Sequence, residues 1–190
     1  MMNLHSVFSA LCLAWVTSEL WIGWRKRSTD RARTRDAGTL RLLLITIYAC
    51  VAASAWLAAR GVAPITLAWR DPLLQVGVAM MIAGMLLRWW SIHVLARFFT
   101  VDVSLRSDHQ LVRSGPYHWL RHPSYTGALM SFYGFAMGLG NWSSLAVLAV
   151  PVTLAFLWRI RIEERVLADA FPEQYPRYVQ ETKRLVPYLW

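Results

Sequence analysis

Cysteine and acid are both scarce in this chain. Cys12 and Cys50 are the two cysteines among 190 residues, and both lie inside apolar runs with no Cys-x-x-Cys or Cys/His grouping. That excludes a disulfide scaffold and a cysteine-rich metal module, and a buried thiol behaves as a small hydrophobe. Eleven acidic residues face twenty Lys and Arg, and charged residues of both signs make up only 16% of the sequence. No internal repeat or low-complexity tract stands out. No polar segment is long enough to bury a core of its own, which excludes a separate soluble domain.

What is abundant is apolar and aromatic. Hydrophobic residues make up 56%, with 11 tryptophans, and about 20 consecutive apolar residues cross a bilayer core. The composition therefore predicts an all-α, polytopic membrane protein forming a single domain over residues 1–190, with spans in 1–95 and a further loop, hairpin and tail in 96–190. Five apolar segments can be read: Leu4–Trp24, Leu40–Ala59, Pro72–Val94, Tyr125–Leu139 and Ser143–Ile160. The turn Gly138–Ser144 is short enough to make the last two a helical hairpin. Gly134 and Gly138, four apart, permit close backbone approach, for which plain helix packing is a sufficient reason.

The formal charge of +9 does not point to nucleic acid, because it is distributed by side. Seven basic residues cluster between Arg25 and Arg41, and most others fall in the third connection and the tail, while the alternate loops are nearly free of them. By the positive-inside rule this predicts an extracytoplasmic N-terminus and a cytoplasmic C-terminus, with the polar loop and tail also cytoplasmic. The basic cluster follows the first apolar run instead of preceding it, unlike a secretory signal. Glu19 and Arg88 are charges inside apolar runs. They are expected at similar depth, either paired at the mouth of a cavity or snorkelling independently to the interface.

Two polar stretches remain. "DHQLVRSGPYHWLRHPSYTG" (Asp108–Gly127) precedes the fourth span, and "RIRIEERVLADAFPEQYPRYVQETKRLVP" (Arg159–Pro187) follows the fifth. The first stretch admits three readings. His118 and His122 are four apart, the helical spacing of a two-histidine metal site, with His109 nearby. Against this, Gly115, Pro116 and Pro123 interrupt any helix, and no acidic ligand sits at a matching offset. As an interfacial turn, the stretch would account for the prolines and aromatics. As a cofactor loop, its exposed backbone groups could bind an adenine edge or a carboxylate, with His and Arg as directional donors. In the second stretch, Arg159 and Glu163 share a helix face. They form either a boundary ion pair or two opposite charges presented to a cavity, where Arg can grip a carboxylate.

Taken together, "HQLVRSGPYHWLRHPSYTG", a span hairpin, and then Arg-x-x-x-Glu-Glu, "QYPRY" and "RLVP" closely resemble the isoprenylcysteine carboxyl methyltransferase family of integral membrane enzymes. The resemblance covers His109 to Pro187, about half the chain. It implies S-adenosylmethionine as methyl donor, with S-adenosylhomocysteine as product, and a lipophilic or prenylated acceptor drawn from the membrane lipid phase. No metal and no nucleic acid are implied. Cofactor contacts would come from His109, Gln110, Leu111, Val112, Tyr117, Arg121, His122, Pro123, Ser124 and Glu163. Arg159 would hold the acceptor, and Arg159 and Glu163 would be the catalytic pair. The implied reaction is O-methylation of an isoprenylcysteine-like carboxylate. Relatives that methylate a small lipid phenol, thiol or phospholipid amine are the nearest alternative, and a non-catalytic lipid-binding protein is an alternative of another class.

Overall fold

The computed structural model describes residues 3–25, 38–100 and 110–187. Within these residues the chain is helical, with two isolated β-bridges and no strands. The helices are α1 (Leu4–Arg25), α2 (Thr39–Ala59), α3 (Leu67–Leu95), α4 (Pro123–Gly138), α5 (Trp142–Ala170) and α6 (Gln174–Glu181). Short 3-10 turns cover Ala96–Phe98 and Gly115–His118. Four helices (α1, α2, α3 and α5) are long and apolar enough to cross a membrane. The segment expected as the fourth span is α4, only 16 residues. At 1.5 Å per residue it reaches about 24 Å, short of the roughly 30 Å of a hydrocarbon core.

Three boundaries differ by more than one residue from those read in the sequence. Helix α3 begins at Leu67, not Pro72, which stands inside it. So near an N-terminus a proline forfeits a single intrahelical bond, and the turn upstream is retained. Helix α4 starts at Pro123, its first residue, where a missing N–H costs nothing. The largest difference is α5, which continues from Ile160 to Ala170. Ten more residues add about 15 Å, so Glu163 and Glu164 continue the helix that carries Arg159.

At one end of the bundle, the α2–α3 connection and the α4–α5 turn lock together. Ile65 N donates to Gly140 O and Trp142 N to Ala63 O, each at 3.0 Å. Asn141 caps α5, its side chain accepting from Ser144 N at 2.7 Å, as an N-cap asparagine should. Helix α2 lies on α5 through a serine pair: Ser144 Oγ donates to Ser54 O (2.7 Å) and Ser54 Oγ to Ser144 O (3.2 Å). The core beneath is formed by Met81, Ala136, Leu148, Val152, Phe156 and Ile160, all essentially inaccessible.

Helices α3 and α4 make the closest seam, and glycine is the reason. A Cβ on Gly84 would meet Gly127 O at 2.5 Å, and one on Gly77 would meet Gly134 O at 2.6 Å. The working pairs are therefore Gly77 with Gly134 and Gly84 with Gly127, seven residues apart on each helix. Gly138, expected to act with Gly134, instead lies under the Phe8 ring of α1. This seam brings the start of α4 hard against α3 at the end opposite the locked turns, which is where the polar residues gather.

Candidate active site

At that end a cavity of about 550 Å³ opens among α1, α2, α3, the polar loop, α4 and α5. Its walls differ in chemistry. Val16, Leu20, Leu43, Leu44, Ile47 and Val51 of α1 and α2 form an apolar side, while Tyr125, Arg159, Glu163, His122 and the loop form a polar one. Cavities of this size with a few convergent polar groups are the usual form of a small-molecule site.

The polar side is held by a clasp between loop and tail. Arg121 N donates to Lys183 O (2.7 Å), His122 N to Arg184 O (3.2 Å) and Lys183 N to Trp119 O (3.0 Å). Thr126 Oγ1 donates to Leu185 O at 2.8 Å. The Tyr178 hydroxyl of α6 donates to Tyr117 O at 2.7 Å. Burial pushes the Tyr178 phenol above its ordinary range, so it stays a neutral donor at physiological pH. Tyr117 is raised too, by burial first and by the Glu163 carboxylate second. Gly115, at φ 58°, turns the chain into this clasp with a backbone that glycine adopts freely.

Glu164 of α5 anchors the clasp. Arg184 grips it through Nε (3.1 Å) and Nη2 (2.8 Å), and Arg121 donates Nε to it at 3.0 Å. Arg121 also reaches back to Thr182 O (2.6 Å) and Val179 O (3.2 Å). One carboxylate thus joins helix, loop and tail.

A directed hydrogen-bond chain crosses the cavity floor. Arg159 is 1% exposed; its Nε donates to the Tyr125 hydroxyl at 3.0 Å, which donates to Glu163 Oε2 at 2.7 Å. Arg159 Nη1 donates to Thr39 Oγ1 of α2 at 3.2 Å. The His122 ring stacks on Tyr125 with centroids 5.6 Å apart. Its Nε2 is buried without an aligned hydrogen-bond partner, although Glu164 Oε1 stands 3.4 Å away. On the facing wall Glu19 and Arg88 do pair, at 2.5 and 2.7 Å, and Arg88 Nη1 donates to Ser124 Oγ at 3.1 Å.

Of the residues expected to form the site, Gln110, Leu111, Val112, Tyr117, Arg121, His122, Ser124, Arg159 and Glu163 all line this one cavity. Pro123 is buried at the start of α4 and does not line it. His109 lies outside the described residues, as does most of the basic loop. His118 and His122 do not act together: His118 opens onto a separate cleft of about 340 Å³ beside Arg113 and Lys183. Among the described residues no cluster of His, Cys, Asp or Glu is arranged for a metal ion. Sequence reasoning missed Tyr125, Glu164, Arg184 and Tyr178. Glu164 follows Glu163 on the helix but turns to the clasp, where Arg121 and Arg184 meet it.

A protein-family model described as phospholipid methyltransferase matches residues 73–174, a little over half the chain. The chain is 37% identical to protein-S-isoprenylcysteine O-methyltransferase B of Arabidopsis thaliana, over 60% of this chain and 58% of that protein. To the protein-S-isoprenylcysteine O-methyltransferase of Saccharomyces cerevisiae it is 32% identical, over 60% and 48%. It is also 34% identical to the cobalt-zinc-cadmium resistance protein CzcN of Cupriavidus metallidurans, over 64% and 52%. The solved structure of a eukaryotic intramembrane Ras methyltransferase, isoprenylcysteine carboxyl methyltransferase, superposes with a TM-score of 0.58 at 33% identity, covering 62% of this chain and 43% of that one. The chain spans about half the length of the curated relatives it matches.

Glu164→Ala should free the clasp. It leaves Arg121 and Arg184 facing each other without their shared anion, costing on the order of 2–3 kcal/mol, between exposed and fully buried pairs. Hydrogen exchange should accelerate at residues 119–122 and 182–185 together; acceleration of only one strand would refute the clasp.

Proposed function

The chain belongs to the phospholipid methyltransferase family, and on that premise we propose that it transfers a methyl group from S-adenosylmethionine to a lipophilic acceptor in the membrane, at an isoprenylcysteine-like carboxylate. The observation that carries this reading is a single cavity with a charged floor and an apolar wall, which suits a polar donor and a greasy acceptor meeting at one point. The residues fit the donor. Glu163 keeps about a third of its side chain exposed and can accept from an ammonium or ribose hydroxyls. The His122 ring lines the same cavity, with Nδ1 4.0 Å from Glu163 Oε2, and Gln110–Val112 offer backbone groups at the rim.

S-adenosylmethionine supplies an electrophilic methyl on a sulfonium. The protein's contribution is alignment and exclusion of water. Arg159, buried and oriented by Tyr125 and Thr39, holds the acceptor anion in line. A carboxylate is already ionised at neutral pH, so no general base is required. A phospholipid amine, which the family's description raises, would place a cation beside Arg159; the buried arginine favours an anion. The acceptor's chain enters from lipid between α1 and α2, where α1 leans on α3 and α2 on α5.

In the membrane, the same reading makes α4 a short fourth span of five, in a hairpin with α5. The N-terminus is then extracytoplasmic, and the polar loop, clasp and C-terminus are cytoplasmic. Reporter fusions after Val62 and at Trp190 should therefore mark opposite sides; the same side for both would rule this topology out.

The two charges of α5 have separable roles. Glu163→Gln should weaken S-adenosylhomocysteine binding measured by calorimetry in detergent. Arg159→Lys keeps the charge but loses the planar fork. It should hold that affinity within a few-fold while lowering turnover roughly 10²-fold, about 2.7 kcal/mol. Equal loss of cofactor affinity in both variants would make the pair one cofactor clamp and remove the case for a carboxylate acceptor. No binding by the native protein would identify a non-catalytic lipid binder.

A further inference from the structure

Helix-interior glycine costs about 1 kcal/mol relative to alanine, and most helical glycines here have an evident reason. Gly77, Gly84, Gly127 and Gly134 let two backbones touch, and an added Cβ at any of them would collide. Gly23 is different. A Cβ built on it meets nothing within 4 Å, so no packing among the described residues requires it. Yet it lines the large cavity, as does Glu19 one turn before it on the same face of α1. What the missing side chain provides is room.

The position of this room is informative. Glu19 is paired with Arg88, and the α2 residues that share the cavity, Leu43 and Ile47, are apolar. Helix α1 and helix α2 both lie outside the residues 73–174 that the family shares. The polar half of the cavity therefore comes chiefly from the matched region, and much of the apolar half from helices outside it. We propose that Gly23 is a specificity-determining residue: the notch it leaves in α1 receives part of the acceptor's apolar chain and sets the length that the cavity accepts. This rests on the reading of the cavity as an acceptor site.

The test uses the full-length protein in lipid nanodiscs, labelled S-adenosylmethionine, and geranyl-, farnesyl- and geranylgeranyl-cysteine as acceptors. Gly23→Ala, Gly23→Leu and Gly23→Phe should lower kcat/KM in a graded manner, more for longer chains. The geranylgeranyl-to-geranyl ratio should fall about tenfold or more at Leu, the scale of misfit in an apolar pocket. Affinity for S-adenosylhomocysteine should hold, and Gly23→Ala should not lower Tm, since alanine is the better helix former. Equal loss for all three acceptors, no loss, or a lowered Tm at Gly23→Ala would overturn the proposal. If the native protein methylates none of the three, the proposed acceptor fails, and the notch is tested separately with a diazirine-bearing farnesyl chain. Labelling of α1 that Gly23→Leu displaces supports it; labelling elsewhere, or undisturbed by Gly23→Leu, overturns it.

Discussion

The carboxylate of Glu164 is the constraint on which the rest of the polar architecture depends. It stands about 6 Å beyond the core residue Ile160 along α5, where it collects Arg121 from the loop and Arg184 from the tail. Tyr117 and Leu120 of the loop and Leu185 of the tail are buried beside it. A charge-assisted, partly bidentate contact gives the two segments direction as well as energy, and the backbone bonds between residues 119–122 and 182–185 then close the register. His122 follows Arg121 directly, so fixing one fixes the other, and His122 in turn stacks on Tyr125. The hydroxyl of Tyr125, which joins Arg159 to Glu163, is thus positioned from two sides.

The second support is steric. Because Gly84 and Gly127 allow α3 and α4 to touch, Arg88 of α3 can reach both Ser124 of α4 and Glu19 of α1. The ion pair closes one wall of the cavity, and the Arg159–Tyr125–Glu163 chain forms the floor facing it. Charges at this depth are costly unless paired, and here each has an oppositely charged or hydroxyl partner. The result is a cavity with polar groups concentrated at one end and hydrocarbon at the other.

Much of this was legible in the sequence, for reasons that can be named. Long apolar runs mark helices whatever their packing, and Arg159 and Glu163 lie four apart on a segment whose helical period is plain. The ends were less legible: α5 runs on past Ile160 because charged residues can sustain a helix once it leaves the apolar layer, and hydropathy cannot see that. The glycine pairing was misassigned because the 134/138 spacing matches a common motif, whereas the contact uses residues seven apart on two helices. His118 and His122 had metal-like spacing, but Gly115 and the prolines put them on different turns opening in different directions. The clasp left no signal. An isolated bridge between a loop and a tail has no periodicity, and Arg184 looked like one more basic residue in a basic tail.

On the proposed function, one nucleoside-sized ligand orders the loop, the clasp and the end of α5 as a unit. Hydrogen exchange with and without S-adenosylhomocysteine tests it most directly. Exchange should slow at residues 110–124 and, through the clasp, at residues 182–185. Exchange there that ignores the ligand, or slowing confined to the membrane-buried helices, would contradict it.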